Sequence, residues 1–330
     1  MFALLVILFF FLDIMMGSVT LSPSGIFHSL FRGGDPQVHD IIMKFRIPKA
    51  LTAVLVGLAL SVSGLQMQTV FRNPVAGPYV LGISSGASLG VAFVILGFHG
   101  YITSEGLQWY GNWALAAASW IGAGTVMLLI MIISVRVRDI LTVLIIGILL
   151  SGAISAVVSI MQYFSNETML KAYVVWTMGS LGNLTSGQIT VLALSVGAGL
   201  ILSLLSVKML NALLLGENYA MTMGLNLNLA RFTVFAATSI LAGSVTAFCG
   251  PIGFIGIAVP HISRMIFRTS DHRVLMPASI LAGSVIMLLS DILTQLPGSG
   301  RIIPINSVTS LVGIPIVIWV IFRNRKYTET

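Results

Sequence analysis

A few residues in this 330-residue chain have the types that chemistry uses. Gly82-Ile83-Ser84-Ser85-Gly86 fits the G-x-S-x-G pattern, which would make Ser84 an acyl-transfer nucleophile. That chemistry needs a strand before the serine and a helix after it, whereas these residues open an apolar helical stretch. With 33 glycines in the chain, such a match arises by chance. Asp13 and Asp291 are carboxylates in or near apolar segments, where an ionisable side chain is a candidate for proton or ion coupling. Both fall near segment ends, where solvent or a backbone donor can satisfy them. The five histidines, at 28, 39, 99, 261 and 272, contain no i, i+4 pair, so no metal site is expected of this chain. His261, between Pro260 and Ser263-Arg264, reads as a structural residue at a helix end. No Gly-Lys dipeptide occurs, so there is no phosphate-cradling loop of the Walker A type. If nucleotide hydrolysis drives this protein, another polypeptide must supply it.

The elements that hold these residues are set by hydrophobicity. Charged residues make up 8% of the chain and hydrophobic ones 57%, against about 25% charged in a soluble domain. Charge-free runs extend over 50–71, 73–104, 106–135, 140–166, 232–263 and 302–322, several of them longer than the ~20 residues that cross a bilayer. We therefore expect an all-α polytopic membrane protein. About ten spans are predicted, near 1–20, 47–71, 80–98, 110–134, 140–164, 188–207, 230–249, 252–267, 274–294 and 305–322. The first is read as a span rather than a signal peptide, since no basic region precedes it. The eighth is interrupted by Pro251 and Pro260, and broken segments at membrane depth are tolerated only where protein or a cavity covers the loose backbone. Gly82, Gly86 and Gly90 lie on one helix face and predict close packing. The Pro/Gly-rich break 72–78 is echoed by Gly250-Pro251-Ile252-Gly253-Phe254-Ile255-Gly256, five spans later, a weak inverted repeat of the kind transporters use. The lone Cys249 excludes an internal disulfide.

Charge then sets orientation. An even number of spans puts both termini on one side. Of the basic residues, Arg72, Arg136, Arg138, Lys208, Arg231, Arg264, Arg268, Arg273, Arg323, Arg325 and Lys326 fall on that side and only six on the other, which predicts cytoplasmic termini. The net charge of +7 records orientation here rather than nucleic-acid binding. On the outer side, Lys44, Arg46 and Lys49 gather where the second span begins. They suit either interfacial snorkelling or an acidic extracellular partner. Between the sixth and seventh spans, the stretch from Leu215 to Asn226 is too polar to cross. It predicts a short cytoplasmic helix ended by Gly224, of the shape a peripheral motor would grip.

Several motifs in the same order resemble one family over nearly the whole chain. They are Arg46-Ile47-Pro48-Lys49, the run from Ser63 to Pro78, Leu81 to Ala87, Gly216-Glu217 to Gly224, Gly250 to Gly256 with Pro260-His261-Ile262-Ser263-Arg264, Asp271-His272-Arg273, Pro304-Ile305-Asn306 and Gly313-Ile314-Pro315. The sequence is similar to the FecCD/BtuC-like permease subunits of type II ABC importers for iron–siderophore complexes, haem and cobalamin. That resemblance implies one permease domain over 1–330, a transport subunit rather than an enzyme, in a bacterial inner membrane. It implies a second permease copy, two ABC ATPase subunits that carry ATP and Mg, and an extracytoplasmic substrate-binding protein. This chain itself would bind no cofactor or metal. The segment 211–227 would be the ATPase-coupling element, with Glu217, Ala220, Met221 and Gly224 as its key positions. Arg46 and Lys49, joined by Arg301, would dock the binding protein, with Lys49 standing where the family usually has Arg. Asn73, Pro74, Ile140, Leu141 and Thr142 would narrow the cytoplasmic mouth. Gly82, Gly86, Gly250, Pro251, Gly253, Gly256 and Pro260 would break or pack helices. An ion-coupled carrier built on Asp13 and Asp291 is the alternative.

Overall fold

Apolar runs in a bilayer become helices because each backbone N–H and C=O must find its partner within the segment. The computed structural model describes residues 2–17, 36–97, 104–137, 139–295 and 302–325, with backbone alone for 104–112, 320, 321 and 323–325. Thirteen helices lie in these residues: α1 Phe2–Met15, α2 Pro36–Val70, α3 Ile83–Gly97, α4 Ser104–Arg136, α5 Ile140–Tyr163, α6 Glu167–Thr177, α7 Ser186–Leu205, α8 Val207–Leu214, α9 Glu217–Thr222, α10 Leu227–Cys249, α11 Ile255–Phe267, α12 His272–Thr294 and α13 Ile305–Arg325. Six of them, α2, α4, α5, α7, α10 and α12, are long and apolar enough to cross a membrane; α1, α3, α11 and the 305–319 part of α13 are shorter apolar helices. These correspond to the ten expected spans.

Two elements differ from the sequence expectation. The second span does not begin near residue 47. Its helix starts at Pro36 and runs through a π-helical turn at Ile42–Arg46. An eleven-residue helix, α6, occupies the connection after α5, where no element was expected.

α2 is the centre of the fold. Of its most apolar stretch 78% is buried in protein, against 67% for α10, 61% for α12 and 28% for α5 and α7, which turn their apolar faces outward. Helices meet α2 across small residues. A methyl added to Gly57 would overlap the Gly283 carbonyl of α12, and one on Gly64 would overlap the Gly256 carbonyl of α11. Gly86 meets Gly122 of α4 in the same way, the close approach expected of small-residue faces in membranes. Polar side chains then link the helices. Gln66 donates from Nε2 to Ser206 Oγ at 3.3 Å and accepts from Thr238 of α10 at 3.2 Å. Gln68 donates to the Ile257 carbonyl at 3.1 Å and accepts from Arg264, both on α11.

Helix ends carry their expected caps. Asp139, Asn166, Asn226 and Asp271 accept from first-turn amides of α5, α6, α10 and α12, and Thr185 and Gln188 form a capping box at α7. The Gly250–Phe254 break turns the chain between α10 and α11. Gly250 has φ +74°, a conformation that L side chains resist, and a methyl there would strike the Trp176 carbonyl. Asn306 Oδ1 accepts from Gly253 N–H at 3.0 Å, so the break is held by α13. Pro260 lies inside α11.

Candidate functional site

Two ends of the helix assembly carry the candidate residues. At one end the C-terminus of α2, the α4–α5 turn, α8 and α9 come together with the starts of α10 and α12. α9 is a single short helix, entered at Gly216 and followed by Gly224 at φ +85°. Glu217, its first residue, is gripped by the Arg231 guanidinium of α10, NH2 lying 2.8 Å from Oε1 and 3.0 Å from Oε2. Ala220 is fully buried beneath α9. The outward surface is made by Leu215, Tyr219, Met221 and Met223, all large, apolar and exposed.

α8 is fastened on its other side. Asn211 Oδ1 accepts from the His272 backbone N–H at 2.9 Å and faces its Nδ1 at 2.7 Å, while its amide donates to Asp271 at 2.6 Å. His272 Nε2 lies 2.8 Å from Thr69 Oγ1 on α2. Arg72 donates to the Leu213 carbonyl at 3.1 Å. Just beyond α2, Asn73 Oδ1 accepts from Val75 N–H at 3.0 Å, and the exposed Pro74 gives its carbonyl to His261 at 2.6 Å. At the neighbouring turn, Asp139 accepts from the Thr142 hydroxyl at 2.7 Å and from the amides of Leu141 and Thr142 at 3.2 and 3.0 Å. The Thr142 hydroxyl, and then the Leu141 amide, hold the Asp139 carboxyl below the usual carboxylate range. Ile140 is buried there, whereas Leu141 and Thr142 are exposed.

The other end holds four ionisable side chains, those of Asp13, Arg46, Lys49 and Asp291, around a cavity of about 810 Å³. The sequence reading placed Arg46 and Lys49 on an outward patch, but the structure turns both inward. The buried Arg46 donates to the carbonyls of Ile14 at 2.6 Å and Met15 at 3.0 Å, closing the end of α1 where helix carbonyls lack partners. Lys49 Nζ pairs with Asp291 Oδ1 at 3.0 Å. Asp13 and Asp291 are 3% and 1% exposed, so solvent does not satisfy them as expected; Lys49 answers Asp291, while Asp13 Oδ1 is buried without a hydrogen-bond partner. Both line the cavity with Lys49, Arg46, Trp176, Phe248 and Gln188. The exposed cation of this segment is Lys44, paired with Asp40 one turn away at 2.7 Å. Arg301, Arg138, His28 and His99 lie outside the described residues. Among the described residues no group of three or more His, Cys, Asp or Glu could hold a metal.

The sequence model of the FecCD transport family matches residues 4–323. The chain belongs to that family. Among its FecCD relatives, the hemin transport system permease HmuU of Yersinia pestis is 34% identical over 313 residues, which are 94% of this chain and 91% of that protein. The vitamin B12 import system permease BtuC of Escherichia coli O9:H4 strain HS is 33% identical over 324 residues, 98% of this chain and 94% of that one. A solved structure described as a metal-chelate type ABC transporter in an inward-facing conformation superposes with a TM-score of 0.80 at 28% identity, covering 98% of this chain and 97% of that one. These relatives do not favour an ion-coupled carrier. Nor does Ser84 sit on a nucleophile elbow: it lies in the first turn of α3 with no strand before it.

Sequence reasoning brought this FecCD chain's Glu217, Met221 and Gly224 to one end with Asn73, Pro74 and Ile140–Thr142, and the structure gathers them there. It placed Asn211, Tyr219 and Met223 in the 211–227 segment without singling them out, and it used Arg231 only to set orientation. Arg231 had a legible signal, an arginine in the first turns of an apolar span, where an ionisable group calls for a partner.

Proposed function

We propose that this chain is the membrane-spanning permease subunit of an ATP-driven importer. It moves a large metal chelate (a ferric siderophore or haem, or cobalamin) across a bacterial inner membrane by alternating access. The observation that carries this reading is the family match over nearly the whole chain, with haemin and vitamin B12 permeases among the relatives. Residues 1–330 act as one permease domain, with both termini in the cytoplasm.

ATP and Mg are held by two separate ATPase subunits, consistent with a sequence that has no Walker A loop. Those subunits seat on the α8–α9 segment, where Tyr219, Met221 and Met223 offer an apolar surface, Glu217 and Ala220 hold it in place, and Gly224 ends it. Two copies of the chain flank the pathway, and the outward-turned α5 and α7 leave apolar surface for lipid or the second copy. Asn73, Pro74 and Ile140–Thr142 narrow its cytoplasmic mouth. An extracytoplasmic binding protein delivers the chelate at the opposite end. Arg46, Lys49 and Arg301 serve its docking; Arg46 braces α1 and Lys49 pairs with Asp291 at the rim of the cavity.

The test is purification from native membranes in mild detergent, followed by mass spectrometry and uptake into proteoliposomes. A Walker A-containing subunit at one per permease, with MgATP-dependent uptake of haem, cobalamin or a ferric siderophore, is the expected outcome. A chain that arrives alone and transports on an ion gradient without ATP would overturn the reading.

A further inference from the structure

Arg231, 3% exposed and the fifth residue of α10, joins two other elements, α9 and the end of α4. NH2 of its guanidinium donates to both oxygens of Glu217 on α9, at 2.8 and 3.0 Å. NH1 donates to the Val137 carbonyl at 3.2 Å and reaches that of Ser134 at 3.5 Å, where α4 ends. Two residues past Val137, Asp139 opens α5 by capping Leu141 and Thr142. The last carbonyls of a helix have no intrahelical partner and favour a cation. A planar guanidinium can serve them and a carboxylate together, whereas an ammonium is a single point charge.

The flanking contacts set which parts move. α8 is tied to α2 and α12 through Arg72 and through Asn211, His272 and Thr69. Gly216, at φ +115°, thus separates the tethered α8 from α9, and Glu217 joins α9 to Arg231.

We infer that Arg231 is a positioning residue that passes displacement of α9 to the α4–α5 turn, so that the motor's movement reaches Leu141 and Thr142. This rests on the reading of α9 as the ATPase-coupling helix.

The experiment uses the permease assembled with its ATP-hydrolysing partner in liposomes. In a Cys249→Ala background, the lone buried cysteine being removed, single cysteines are placed at the exposed Thr222 on α9 and Ile145 on α5. Maleimide labelling is compared without nucleotide and with MgATP plus vanadate. With Arg231 intact, nucleotide changes the labelling rate at both sites. In Arg231→Met, the change at Thr222 persists, and the change at Ile145 shrinks about fivefold or more, the scale of a typical coupling between sites. An undiminished change at Ile145, or a parallel loss at both sites, would make Arg231 a structural brace and overturn the inference. If Arg231→Met does not assemble, Arg231→Lys carries the test. It keeps the charge facing Glu217 but cannot also hold the α4 carbonyls, so the Ile145 change again shrinks, and full retention overturns the inference. No nucleotide effect at either site with Arg231 present would defeat the ATPase-coupling reading itself, and the inference with it.

Discussion

At the scale of single residues, the buried cations Arg46 and Arg231 and the buried Asp291 are held by partners distant in sequence. Lys49 neutralises Asp291, whose side chain is only 2% exposed. Removing one partner of a buried pair strands the other charge and costs about 3–5 kcal/mol, whereas neutralising both is much cheaper. Lys49→Met should therefore lower the thermal midpoint in detergent markedly, and adding Asp291→Asn should recover most of the loss. A double variant as unstable as the single one would show that Lys49 acts through packing instead. The Asp139 cap makes a prediction about pH. Its hydrogen bonds lower the folded carboxyl's pKa below that of the unfolded chain, so their stabilisation is complete above the unfolded value, about 3.9, and is lost as pH falls through the folded one. Hydrogen exchange at the amides of Leu141 and Thr142 should be equally protected at pH 5 and pH 7 once corrected for intrinsic rates. Protection should fall only below about pH 4. Asp139→Asn, which keeps an acceptor but cannot titrate, should remove that acid sensitivity.

At the scale of elements, glycine decides how near helices come and where they stop. Gly64 faces the Gly256 backbone with no room for a methyl, while nothing lies within 4 Å of the methyl position at Gly152 on α5. Gly64→Ala must push α2 from α11 and should cost about 1–3 kcal/mol, the usual penalty of overpacking. Gly152→Ala, which meets no atom and favours the helix, should not lower the detergent melting midpoint, and an equal drop in both variants would show that the contact with α11 does not govern Gly64. Gly224 has open space around it but a φ of +85°, so Gly224→Ala should cost only the backbone strain, about 1 kcal/mol. That loss is read as faster exchange of the Gly224 and Leu225 amides that close α9 onto Met221 and Ala220.

At the scale of the whole molecule, the two ends do different work. The α9 end presents exposed apolar side chains on a helix held by Glu217 and Arg231, and the opposite end surrounds a cavity with the Lys49–Asp291 pair. Tyr219→Arg and Met221→Arg, which change surface side chains, should leave the permease's own melting curve unchanged and lower the co-purification of its ATPase partner at least about tenfold, as loss of an interface anchor does. Full recovery of the partner from both variants would move the docking surface elsewhere.

Much of this protein was legible along the chain. The charge-free runs specified apolar helices because unpaired backbone cannot rest in hydrocarbon. The breaks at 72–78 and 250–256, and the short helix before Gly224, were legible because proline and left-handed glycine act locally. The pairing of charges was not. Arg46 and Lys49 read as one outward patch because they are three residues apart. Their partners, the carbonyls of Ile14 and Met15 and the carboxylate of Asp291, come from helices that only the packed fold brings beside them. Arg231 lies 14 residues from Glu217 and 94 from Val137, separations that no helical period encodes. Composition and local stereochemistry determined which segments become helices and where they break. Which buried charge answers which was decided by tertiary packing, because a charge in a low-dielectric interior takes the partner the fold places within reach.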